Sequence, residues 1–150
     1  MEKKQFYEDY TPGDQRKTLG RTITETDFVV HAGHTGDFFP HHMDAEFCAT
    51  QPFGQRIAHG TMTFAIGIGL TASQINPRAF TYGYERLRFP KPVHIGDTIH
   101  TLVTIGDMAP DTKRKGFGKI VEITETKKQD GSIVMYCEHI LMVKMKESEI

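Results

Sequence analysis

With 150 residues, 38% hydrophobic and 25% charged, the chain fits one domain with its own core and is short for two. A net charge of −1 removes the bulk electrostatic case for nucleic acid, and no apolar run approaches the roughly 20 residues that span a bilayer. The opening segment lacks a hydrophobic signal core, and two cysteines, Cys48 and Cys137, make no disulfide framework, so a reducing, cytoplasmic setting is expected.

Residues 1–16 are polar, with Phe6, Tyr7 and Tyr10 as anchors and a turn at Pro12-Gly13-Asp14. Residues 17–24 carry β-branched side chains and are expected as a first strand. Thr24 or Thr26 caps a short helix that holds Glu25 and Asp27 in its first turn and Phe28, Val29 and Val30 within it, with Gly33 as its stop. Asp44 caps a second short helix over 45–50, ended by Gln51-Pro52.

The run 61–73 is ambiguous. Met62, Phe64, Ile66, Ile68 and Leu70 alternate with small residues, which is a strand period, and each interior glycine costs a helix about 1 kcal/mol. Thirteen residues before the Asn76-Pro77 stop is nonetheless long for a strand. From residue 80 onward the pattern is β. Strands are expected over 81–89, 98–105, 117–127 and 132–145, with turns at Gly96-Asp97 and Asp130-Gly131. In the last strand Ile133, Met135, Cys137 and Leu141 share a face. Residues 110–118 form a basic loop around Lys113-Arg114-Lys115, read as a solvated turn. One early strand, a helical block and a run of antiparallel strands make an α+β domain over 1–150, with no repeat and no linker.

The chemistry concentrates between Gly33 and Gly60, a stretch with four of the eight histidines, His31 lying just before it. Asp37 precedes His42 by five residues with Pro40 between them. Pro40 disfavours a helical Phe39, so Asp37 and His42 are expected on opposite sides of a turn, converging. A carboxylate and an imidazole that converge can hold and activate a water molecule. Taken singly, Asp37 is an ordinary turn former and His42 an ordinary loop histidine. The histidines show no His-Glu-x-x-His or Cys-x-x-Cys frame, so no metal is expected, and Cys48 between Phe47 and Ala49 reads as core.

Thr35-Gly36-Asp37-Phe38-Phe39-Pro40-His41-His42 resembles the S/T-G-D-x-N-P-x-H signature of MaoC-like dehydratases and (R)-specific enoyl-CoA hydratases. Phe53 to Gly60, FGQRIAHG, resembles the F-G-x-x-I-A-H-G segment that follows it, and the likeness continues through Leu87 to Val93 and Gly96-Asp97-Thr98. The resemblance implies a single hot-dog domain, a curved antiparallel sheet wrapped around a central helix over 61–73. It also implies a homodimer acting on an acyl-CoA thioester without a cofactor, adding water syn across the 2,3 double bond to give an (R)-3-hydroxyacyl product. Asp37 and His42 become the acid–base pair, and Gly60, at the start of the central helix, the backbone oxyanion donor. Phe38, Phe39, His59 and Tyr84 are expected beside the substrate, His59 as a structural contact rather than an acid–base group. Phe39 stands where the family has Asn, and His41 where it has an aliphatic residue. A hot-dog thioesterase and a non-catalytic acyl-CoA binding domain are the alternatives.

Overall fold

The computed structural model describes residues 4–146. Three long consecutive strands, β4 (Thr98–Pro110), β5 (Phe117–Lys128) and β6 (Ile133–Lys144), pair antiparallel, and β3 (Ala79–Arg88) adds to the free side of β6. Two short strands, β1 (Gln15–Lys17) and β2 (Arg21–Thr22), both pair with β4, so the sheet order is β1-β4-β5-β6-β3. Three helices, α1 (Glu25–Thr35), α2 (Pro40–Met43) and α3 (Ala45–Ala49), precede the central helix α4 (Gly60–Gly69), which tightens into a 3-10 segment over Leu70–Gln74. This is the hot-dog arrangement, with α4 lying against the sheet.

The helical reading of 61–73 holds, and the reason it escaped periodicity is visible. α4 buries Met62, Thr63 and Gly67 and exposes Thr61, Ala65 and Gly69, so its open side holds small uncharged residues and no amphipathic stripe marks it. Met62, Ile66 and Leu70 pack with Ile23, Phe28, Val93, Ile99 and Val134. Gly67 faces the sheet, where a Cβ would run into Thr126 Oγ1 and come within 3.1 Å of Met135 Cε. Thr101 Oγ1 donates to the Gly67 carbonyl at 2.8 Å and lies 2.9 Å from Thr126 Oγ1, both threonines being fully buried. The glycine that reads as a helix breaker is what lets helix and sheet approach.

Several boundaries differ from expectation. The single strand over 17–24 is two pieces, because Thr101 N donates to the Thr18 side chain at 2.9 Å instead of to a backbone carbonyl, which interrupts the ladder. α1 does not stop at Gly33 but runs to Thr35. It ends where Gly36 takes a left-handed φ of 78° and its N–H returns to the Ala32 carbonyl at 2.8 Å. Thr24 caps it, its N–H bonded to Asp27 Oδ2 at 2.8 Å, and Asp44 caps α3 by accepting from Phe47 N at 2.9 Å. The helix α2 was not anticipated; Pro40 sits in its first turn, where its missing N–H costs nothing.

Candidate active site

The chain between α1 and α4 is folded by its own polar side chains. After Gly36, Asp37 N donates to Thr35 Oγ1, and Asp37 Oδ1 accepts from Phe39 N, both at 3.2 Å. That turn feeds Pro40 and α2, which carries His42. The segment before α4 then pairs back: Ile57 N donates to the His41 carbonyl at 3.0 Å, and Ala58 N to the Val93 carbonyl at 2.8 Å. Arg56 clamps the same turn. Its Nε donates to the His42 carbonyl at 2.6 Å, and its Nη1 bonds both Glu25 carboxylate oxygens at 2.9 and 2.7 Å. Cys48 is core, as expected; its thiol points at the Pro40 and His41 carbonyls, 3.3 Å from each.

Donor atoms of Asp37, His42 and His59 all lie within 4.8 Å of one another. The orientation of both rings follows from what they bond. His42 Nδ1 is 2.7 Å from the Ile57 carbonyl, which can only accept, so Nδ1 carries the proton and Nε2 the lone pair. His59 Nε2 is 2.8 Å from the Asp37 carbonyl and donates to it in the same way. His59 is 1% exposed, and its Nδ1 has no partner among the described residues. The two imidazoles stack with centroids 3.8 Å apart and planes 26° from parallel. Burial, first of all, holds the His42 pKa below its ordinary 6.5, and the neighbouring His59 adds to this against the bond to Ile57. His42 thus presents a neutral Nε2 near neutral pH, next to a carboxylate. The same three residues are the only metal-capable group among those described, but near-parallel rings aim their in-plane lone pairs along parallel planes rather than at one point.

His42 and Gly60 line a cavity of about 390 Å³ whose other walls include Phe53, Thr63, Phe89 and Val93. Gly60 is the first residue of α4, so its N–H is among the helix-end donors without an intrahelical partner. The Phe89 ring packs on it, 2.9 Å from where a Cβ would be.

Asp37, His42 and His59 are thus brought together, and His42 and Gly60 share the cavity, which neither Asp37 nor His59 lines. Phe38 and Phe39, 59% and 53% exposed, are not among the cavity's lining residues. The Phe39 ring meets His41 edge-on at 4.6 Å and lies 6.5 Å from His42. His41 packs against Phe47 and Phe53. Tyr84 stands apart on β3, stacked on His139 and edge-on to Phe64. Phe53, Phe89 and Val93 were not singled out from sequence, although all three fall inside the family-like segments.

The fold is that of a hot-dog domain, with a carboxylate and a neutral imidazole close together near the start of its central helix. Residues 8–130 match the MaoC like domain, and the chain belongs to that family. It is 39% identical over 102 residues to Protein MaoC of Klebsiella aerogenes, covering 67% of this chain but only 30% of that protein. It is 32% identical over 108 residues to the (R)-specific enoyl-CoA hydratase of Rhodospirillum rubrum, covering 72% of this chain and 74% of that enzyme. A monoamine oxidase regulatory protein from Archaeoglobus fulgius has a solved structure similar to this one, with a TM-score of 0.88 and 30% identity, over 94% of this chain and 95% of that one. No described helix is long and apolar enough to cross a membrane.

Proposed function

We propose that this chain hydrates the 2,3 double bond of an enoyl-CoA thioester, reversibly, to a 3-hydroxyacyl-CoA. The observation that carries this is the approach of Asp37 and His42, one donor atom of each lying within 4.8 Å of the other, with His42 Nδ1 taken up by the Ile57 carbonyl and His42 sharing a cavity with Gly60. One water with hydrogen bonds of about 2.8 Å to each group bridges two acceptors that far apart. One of the two takes a proton from that water as its oxygen adds to C3. The group that has gained that proton then delivers it to C2, which leaves both groups bare again and adds one water in all. Charge that builds on the thioester oxygen meets the Gly60 N–H and the positive end of α4, an interaction worth about 2.7–4 kcal/mol in oxyanion sites.

A panel of trans-2-enoyl-CoA thioesters of differing length, followed by loss of the enoyl absorbance and by product chirality, tests this. The expected product is the (R)-3-hydroxyacyl thioester. Release of free CoA instead marks a thioesterase, and binding without turnover marks a carrier or regulatory domain.

Two further outcomes follow from the geometry. The hydration rate against pH should have an acid limb with its midpoint below 6.5, because the active His42 is the neutral form and its pKa is lowered. A midpoint at or above that value removes His42 as the base. Activity should also survive exhaustive EDTA treatment, since the proposed steps use only a carboxylate, an imidazole and a backbone N–H; loss on chelation, restored by Zn²⁺, would turn the histidines into ligands.

The working unit proposed is a homodimer. β3 is an edge strand, hydrogen-bonded only to β6, and it exposes Phe80 and Tyr82. The first half of this ten-residue strand, with Phe80 and Tyr82 exposed, is a template for pairing with another strand. Phe89, just beyond that strand, lines the cavity, so a partner on this edge borders the site. Sedimentation should give twice the monomer mass or a multiple of it. A fully active monomer contradicts the pairing.

A further inference from the structure

Among the described residues, the His59 side chain contacts both members of the Asp37–His42 pair. Its Nε2–H donates to the Asp37 backbone carbonyl at 2.8 Å, and its ring stacks on His42 at 3.8 Å. It is itself held on the remaining sides. The His31 ring lies 4.8 Å away and the Phe28 ring 6.4 Å, and Thr63 N and Oγ1 both bond the His59 carbonyl, at 3.0 and 3.3 Å. The ring's other nitrogen is buried with no partner among the described residues. Its only polar side-chain contact is therefore with Asp37. A buried polar side chain that leaves one nitrogen unsatisfied calls for an explanation, and neither helix capping nor core packing supplies one.

We infer that His59 is the positioning residue of the acid–base pair, fixing the Asp37 backbone through its Nε2–H and the His42 ring through the stack. The inference rests on the hydratase reading of the site. It assigns His59 no proton transfer: its Nε2 is occupied by the carbonyl, and its Nδ1 is enclosed. Two contacts from one rigid ring set where the carboxylate and the imidazole stand relative to each other, and a misplacement of about 1 Å can cost about 10²-fold in rate.

The groups that surround His42 make a specific readout available. His59 faces it from the start of α4, and Asp37 and His41 from its own segment. Arg56 binds its backbone carbonyl, and His31 stands behind His59. Of these, His59 and His41 push the His42 pKa down, behind burial as the main cause, and Asp37 pushes it up.

Two variants separate the contacts. His59→Gln keeps an amide donor for the Asp37 carbonyl and loses the stack. His59→Phe keeps a ring against His42 and loses the donor. Each should lower kcat by about tenfold or more while KM changes little. In His59→Gln the His42 titration, followed by imidazole NMR, and the acid limb of the rate profile should both move to higher pH. In the wild-type protein His59 should show a protonated, slowly exchanging Nε2 and a bare Nδ1.

Full kcat in either variant overturns the inference. So do losses in kcat that vanish once the folded fraction at the assay temperature is taken into account, an unmoved His42 titration, or a wild-type His59 protonated at Nδ1. The NMR arms need no turnover. A wild-type protein that hydrates no enoyl-CoA therefore fails the hydratase reading alone, while the His42 titration still decides whether His59 is coupled to it.

Discussion

Asp37→Asn should leave a folded protein whose turnover of an enoyl-CoA thioester is cut by at least about 10²-fold, the range for a lost general acid–base group. The substitution is nearly isosteric, and the amide oxygen can still accept from Phe39 N, so the turn into α2 survives. What disappears is the ability to exchange a proton and the negative charge beside His42. His42→Ala should produce a loss of similar size by removing the free Nε2, and it also leaves the Ile57 carbonyl without its donor. Losing that part-buried hydrogen bond costs about 0.5–1.5 kcal/mol, so this variant should melt earlier than Asp37→Asn. Near-normal turnover in either protein, measured alongside a circular dichroism melt, refutes the assignment.

The largest effect on stability should come from Gly67→Val. Replacing a helical glycine normally gains stability, since glycine costs about 1 kcal/mol against alanine. At Gly67 the new side chain meets Thr126 Oγ1 and Met135 Cε across the helix–sheet contact, and Thr126 is buried and engaged with Thr101. Overpacking of this kind costs about 1–3 kcal/mol or more, which exceeds the propensity gain. Gly69→Ala is the matched control. Nothing lies within 4 Å of a Cβ there, so only the propensity term remains and the melting temperature should rise. A Gly67→Val protein as stable as wild type would mean that α4 does not seat on the sheet through this residue.

The two glycines show how much of the fold the sequence carries. The glycines at 67 and 69 look alike in the chain, and alternation with apolar residues pointed as much to a strand as to a helix. In the folded chain the open side of α4 is Thr61, Ala65 and Gly69, so small residues stand where a polar stripe would have marked a helix. The β half was more legible, because β4 and β5 alternate buried with less buried positions, the period that a half-buried sheet imposes. Strand breaks were not legible, since the interruption at Thr18 depends on the side chain of a residue meeting a backbone N–H 83 positions away.

For the site the division falls in the same place. The Gly-Asp…Pro-x-His spacing determines by itself that a carboxylate and an imidazole flank one turn, because Pro40 restricts the backbone before it and Gly36 permits the left-handed exit that opens the turn. Residue types around Phe53 to Gly60 likewise mark a helix entry. Which nitrogen of His42 is free, that His59 lies on its face, and that Phe89 rather than Phe39 lines the cavity were decided only by tertiary structure. Each of those depends on carbonyls or rings brought in from 15 to 30 residues away or more. Local spacing places no constraint on such contacts, and only the packed chain supplies them.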